Sequence, residues 1–206
     1  MRGSTRQRRS RESRTVADAE HAAARFREAG GAGVVLRFAV FYGPDSRFLA
    51  DLVRAVQHGY APLFGPPGAY ISSVAHDDAA AAVIAALAVA AGVYNVADDE
   101  PLTHRGFVDS LAEALGVRPP RLPPSWMTVL GGSLARTLAR SLRVSNRKLK
   151  AASGWAPVFR TVRDGWPTAV GPLIGGKTVS DLRAATRPEG RSQGDKPGAR
   201  TPPEGR

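Results

Sequence analysis

Apolar residues recur at helical spacing from Val16 to Ala29, and Gly30 stands where such a helix would stop. Thr15 and Asp18 form a T-x-x-D start resembling a capping box. The run from Gly33 to Phe41 is almost continuously apolar and rich in β-branched residues. That is the pattern of a strand covered on both faces, as in a parallel α/β sheet. Tyr42-Gly43-Pro44 ends it sharply. Asp45 or Ser46 then caps a second helix with Leu49, Leu52, Val53 and Val56 on one face and Gly59 as its stop.

Residues 60–75 read as loop, centred on Gly65-Pro66-Pro67-Gly68. Asp77 or Asp78 is expected to cap an Ala-rich helix reaching about Ala90, and Gly92 to Ala97 reads as a second short strand. Thr103 is suited to cap a helix with Phe107, Leu111 and Leu115 on one side and Gly116 as its end. A Pro-rich link, Pro119 to Pro124, leads to a helix expected from Ser125 to Ser141. Ser145 is expected to cap a short helix stopping at Gly154, and Gly165-Trp166-Pro167 to close the ordered part. Strands alternating with helices argue for a parallel sheet. Two strands do not make a self-sufficient doubly wound domain, so the sheet should be incomplete.

Composition changes this picture at the ends. The chain has 206 residues, with 29 Lys+Arg against 18 Asp+Glu. Residues 1–14 hold six Arg and one Glu, and residues 171–206 hold seven basic and four acidic residues, so the excess charge is concentrated in the tails. Segment 1–14 and the Gly/Pro/Arg-rich segment 168–206 are therefore expected to be disordered, flanking a partial domain over 15–167. The tails have no interleaved aromatic residue, which argues against nucleic-acid stacking. No apolar run is long enough for a bilayer and no h-region follows the basic start, so a cytoplasmic protein is the default. Zero Cys excludes thiolate metal sites and thiol catalysis, and four scattered His point to no metal centre.

Five pieces carry a resemblance in order along the chain. They are Val34-Val-Leu-Arg-Phe leading to Phe41-Tyr-Gly-Pro44, Asp77-Asp78 before an Ala-rich helix, Tyr94-Asn-Val-x-Asp-Asp-Glu-Pro101, Arg143-Val-Ser-Asn146, and Gly154-Trp-x-Pro157. Together they resemble the C-terminal half of the NAD-dependent epimerase/dehydratase family, the extended short-chain dehydrogenases/reductases. The resemblance implies α/β architecture: the C-terminal part of a Rossmann-type parallel sheet with a small, mostly helical substrate-side lobe. It implies NAD or NADP as cofactor, a nucleotide-sugar or related alcohol or ketone as substrate, and oxidoreductase or isomerase chemistry. It places Tyr42, Gly43 and Pro44 near the cofactor, and Arg143 on the diphosphate of the substrate.

The family's Gly-x-x-Gly-x-x-Gly turn after a strand is absent, since Gly30-Gly31-Ala32-Gly33 precedes one. If Glu20 is the acidic residue that follows the family's Tyr-x-x-x-Lys, the Lys and Tyr positions fall on Val16 and Glu12. No catalytic residue is therefore assigned, and a truncated protein without tight coenzyme binding is expected. His76 stands one position away from the family pattern, so no role is carried over to it. Asp77, Asp78, Asp98, Asp99 and Glu100 are expected in caps and turns, and Trp126, Trp155 and Trp166 in packing. Gly171 to Thr178 matches a P-loop pattern without the strand before it that phosphate binding requires. The rival expectation is a non-catalytic binding or regulatory module, dependent on a partner subunit or self-associating through an exposed sheet edge.

Overall fold

The computed structural model describes residues 11–124 and 139–175. Helix α1 spans Arg11–Glu28 and packs on β1, Val34–Phe38. Its start lies inside the segment expected to be disordered, ahead of Thr15, so the expected cap is not the helix origin. Glu20 on α1 accepts two bonds from Arg37 on β1, from Nε at 2.6 Å and from Nη2 at 2.8 Å.

The expected single strand is two. After β1 the chain breaks at Ala39 and resumes as β2, Val40–Tyr42. β1 pairs in parallel with β5, Gly92–Val96, and β2 pairs in parallel with β4, Ser73–Ala75. The switch is made by consecutive amides: Ala39 N donates to Val96 O at 2.9 Å and Val40 N donates to Ser72 O at 3.1 Å. Part of the expected loop over 60–75 is therefore strand. It also holds β3, Tyr70–Ile71, which pairs antiparallel with β6, Leu102–Thr103. These strands are two or three residues long, too short for hydrophobic alternation to announce them.

Three helices carry much of the packing, and two of them start as their sequence requires. In α2, Arg47–Gln57, the residues Leu49, Leu52, Val53 and Val56 are buried, and Ser46 Oγ caps the start by accepting from Leu49 N at 3.3 Å. In α4, His104–Ala114, Thr103 Oγ1 accepts from Gly106 N at 3.0 Å, and Phe107, Val108 and Leu111 are buried. The third, α3 over His76–Ala86, starts differently from expectation: its N-cap is Ala75, which offers no side-chain bond. Asp78 is instead buried and turned to the chain after α5, Arg147–Ser153. Its carboxylate accepts from Val158 N at 2.8 Å and Phe159 N at 3.2 Å. Asn146 rather than Ser145 stands at the N-cap of α5, and Gly154 ends it at φ 71°, where glycine alone avoids steric cost.

The ordered part also runs further than expected. Gly165, Trp166 and Pro167 lie inside α6, Val162–Val170, which continues into a 3-10 turn over Gly171–Ile174. Pro167 reads as a stop in sequence, yet here it lies inside α6, which runs on to Val170 without the amide donor that proline lacks. The helix expected over 125–141 lies outside the described residues up to 138, and residues 139–146 are turn and coil. Trp126 and the last residues of the P-loop-like pattern also lie outside, and its described part follows a helix rather than a strand.

The larger core joins α2, α4 and α6 beneath β2. Trp166 is fully buried at its centre, edge-on to Tyr42 at 5.3 Å and to Phe107 at 5.1 Å. Its Nε1 donates to Ser110 Oγ at 3.0 Å, satisfying the one polar atom that burial would otherwise strand. A smaller core, with Val74, Tyr94, Val96, Leu149 and Trp155 among its members, joins α3 and α5 to the sheet.

Gly165 touches the Tyr42 ring so closely that an added Cβ would collide with its hydroxyl. Gly165→Ala should therefore overpack the core and cost about 1–3 kcal/mol, read as a lowered Tm. An unchanged melting curve would contradict this packing.

Candidate functional site

The carboxyl ends of parallel strands are where open α/β sheets bind ligands. Here that edge carries the Ala39 break, the Tyr42-Gly43-Pro44 turn, and the residues following β5. Tyr42 points inward: it is 2% exposed, against Trp166 and Gly165. Burial first, then the nearby Asp98, Asp78 and Asp164 carboxyls, raise its phenol far above the ordinary range. The hydroxyl has no hydrogen-bond partner among the described residues. It is thus a packed phenol with no tendency to ionise. Gly43 is buried under His76, where an added Cβ would lie 2.5 Å from Nδ1. His76 Nδ1 in turn lies 2.8 Å from Asp45 Oδ1. Pro44 is exposed.

Arg143 is exposed, with its guanidinium 4.6 Å from the centroid of the Tyr70 ring. It opens onto a cleft of about 830 Å³ whose charged walls are Asp99, Glu100, Arg143, Arg147, Lys150 and Arg160. Two of those cations are already paired. Lys150 Nζ donates to both Asp99 oxygens at 2.8 and 2.9 Å, and Arg160 Nη2 donates to Glu100 Oε1 at 3.2 Å. Asn146 Nδ2 reaches Asp99 Oδ1 at 2.9 Å and Ala97 O at 2.8 Å. Partial burial pushes Asp99 upward, but the Lys150 and Asn146 bonds outweigh it and hold the carboxyl below its usual value. Arg143 and Arg147 have no carboxylate partner among the described residues.

A second pocket, of about 220 Å³, adjoins the first at Val144. It lies at the strand break, and its walls include Phe38, Ala39, Val40, Ile71, Leu142 and Val144. So the structure brings the break residues together with the segment carrying Arg143. Tyr42, Gly43 and Pro44 line neither of these two cavities.

Asp98 and His104 read in sequence as ordinary turn and helix-start residues, and the structure sets them apart. Asp98 is 2% exposed; its Oδ2 accepts from Ser73 Oγ at 3.1 Å while Oδ1 has no partner among the described residues. Burial dominates and pushes its pKa up to about 7, against the Ser73 bonds that lower it. His104 is 1% exposed, neither ring nitrogen is bonded among the described residues, and burial lowers its pKa.

No family model matches the chain. A denitrifying reductase for 3-diazoavenalumate from a Streptomyces species is 34% identical over 140 residues, covering 65% of this chain and 46% of that protein. The UDP-glucose 4-epimerase of Thermus thermophilus, solved with NAD, superposes with a TM-score of 0.62 at 26% identity. The match covers 80% of this chain and 54% of that enzyme. The dTDP-glucose 4,6-dehydratase of Bacillus anthracis, also with NAD, gives a TM-score of 0.63 at 19% identity over 81% of this chain and 52% of its own. In fold, the chain is a relative of the NAD-dependent epimerases and dehydratases. It spans about half the length of these relatives.

An epimerase/dehydratase fold implies a nicotinamide dinucleotide, and the described residues do not make its phosphate cradle. The glycine cluster Gly30 to Gly33 lies between α1 and β1, ahead of a strand. Added Cβ atoms at Gly31 and Gly33 would strike Phe26 and the Ala23 carbonyl, so these glycines serve close helix–strand packing. No proton-transfer step is assigned to Tyr42, whose phenol is sealed in the core.

The raised pKa of Asp98 gives a signed expectation. Its folded value, about 7, lies above the ordinary carboxylate value of 3.8, so the folded state holds the extra proton between them. Its contribution to stability is therefore largest at low pH and is lost as pH rises toward 7. Asp98→Asn should gain stability relative to the parent as pH rises from about 4 to 8, by an amount on the order of a few kcal/mol in urea unfolding. Parallel stability profiles would show that the carboxyl is not buried as described.

Proposed function

We propose that this chain forms the substrate-side part of an NAD(P)-dependent oxidoreductase of the epimerase/dehydratase type, acting on a small anionic alcohol, ketone or related compound. The observation that carries this reading is the forked parallel sheet: its break at Ala39 walls a pocket beside Arg143, which makes no ion pair among the described residues. The Streptomyces relative, named a reductase, and the NAD complex of the Thermus epimerase support the chemical class. Arg143 and Arg147 are the groups we assign to the substrate's anionic portion, a diphosphate where the substrate is a nucleotide sugar.

With no phosphate cradle in the described residues and the Tyr42 phenol sealed in the core, coenzyme affinity and turnover need groups other than these. Titration of the chain with NADH and NADPH, followed by nucleotide fluorescence, should give no stoichiometric complex at about 1 μM. Stoichiometric binding at that concentration would overturn this division of labour.

A second reading, a partner-dependent binding module, draws support from the exposed Val83, Ile84 and Leu87, at 45%, 71% and 84% exposure, on α3 and its C-cap. In the described residues β1 and β5 also form a sheet of only two strands. Size-exclusion chromatography with light scattering separates the two: a cooperative monomer counts against the partner-dependent reading, and concentration-dependent association favours it.

A further inference from the structure

The pocket at the strand break is chemically unlike the cleft beside it. Its walls are side chains of Phe38, Val40, Ile71, Leu142 and Val144, with Ala39 leaving space between them. Among its neutral polar groups, the Ser72 hydroxyl offers little to a polyhydroxylated ligand. Ser72 Oγ is already committed, donating to Leu142 O at 3.0 Å and accepting from Val144 N at 2.9 Å. One face of Tyr70 is covered by the Arg143 guanidinium. A sugar ring placed here would bury hydroxyls without partners, which is costly. A flat hydrocarbon ring would not.

Size agrees with this. A dry apolar cavity of about 150 Å³ holds benzene. This pocket, at about 220 Å³, has room for one six-membered ring and a short arm, and not for a nucleoside diphosphate with its sugar.

Charge fixes the remaining part. Arg140 lines the pocket and Arg143 stands over Tyr70 at its edge, and neither makes an ion pair among the described residues. A planar guanidinium matches a carboxylate through two parallel hydrogen bonds. We infer that the pocket at the β1–β2 break binds an aromatic acid, with its ring among Phe38, Val40 and Leu142 and its carboxylate on Arg140 and Arg143. The inference rests on the proposed function for its place beside the reacting centre. It narrows the substrate from nucleotide sugars to aryl carboxylates.

The test needs no coenzyme, so it stands apart from the NADH titration. Cinnamate, its uncharged counterpart cinnamyl alcohol, and UDP-glucose are titrated into the full chain by isothermal calorimetry. Cinnamate should bind about tenfold or more tighter than either of the others. Arg140→Gln with Arg143→Gln should erase the preference for the acid over the alcohol, and Ala39→Leu should abolish binding of both. Leu142→Trp, at an exposed position, should fill the same space if Ala39→Leu fails to fold. Tighter binding of UDP-glucose, equal affinity for acid and alcohol, or unchanged binding in the filled-pocket variants would each overturn the inference. Cinnamate binding without NADH binding supports both this inference and the proposed division of labour. Tight NADH binding alongside cinnamate binding overturns that division alone, and absence of both overturns this inference alone.

Discussion

At Ala39 the extended chain changes partners, and the geometry of the site follows from that one step. Its own amide still serves β5, through Val96 O, while the next amide serves the segment entering β4, through Ser72 O. Beyond the break β4 takes the place of β5 beside β2, and the chain leaving β5 bonds to β4 in turn, with Asp98 N donating to Ser73 O at 2.7 Å. The fork leaves Phe38, Ala39 and Val40 facing a gap that Leu142 and Val144 only partly close. Unpaired backbone in such a gap would be expensive. Here the amides of Ala39 and Val40 both have acceptors, so the gap is available for a ligand.

Below the fork, buried polar groups hold the connecting segments. Asp78 accepts two backbone amides from the 158–159 turn. Asn146 joins the end of β5 to the start of α5 through Ala97 O and Asp99. Each bond crosses a long sequence separation, so each fixes a loop that apolar packing leaves free. Trp166 does the same from the other side, with its ring between Tyr42 and Phe107 and its N–H on Ser110. The floor of the ligand edge is thereby rigid, which a site requires if its donors are to hold their aim.

Much of this is legible in the sequence, and the reasons for the remainder are physical. The faces of α2 and α4, their Ser46 and Thr103 caps, and the glycine stops follow local rules, and the structure keeps them. The parallel sheet and the family resemblance are legible in the apolar run ending at Tyr42. The fork is not, because an uninterrupted apolar run carries no mark of a change of partner. Asp78 reads as a helix cap since caps and buried clamps use the same residue type; only the distant 158–159 amides distinguish them. The inward turn of Tyr42 depends on Gly165, far along the chain. Arg143 is legible as a cation, but its seat on Tyr70 and the apolar pocket beside it depend on tertiary contact.

Asp98 and Asp99 show how neighbouring identical side chains acquire opposite characters. The chain has left β5 and bends at Asp99, so one carboxyl turns inward and the next outward. Asp98 enters the core, meets one hydroxyl, and has its pKa raised to about 7. Asp99 faces the cleft and is held ionised by Lys150 and Asn146. The outward carboxylate neutralises Lys150, and Glu100 engages Arg160, so these two cations are satisfied internally. The charge left to meet a ligand is then that of Arg143 and Arg147 on the cleft wall, next to Arg140 at the apolar pocket. A ligand that is anionic at one end and apolar at the other satisfies both surfaces at once, whereas a uniformly polar one satisfies only the first.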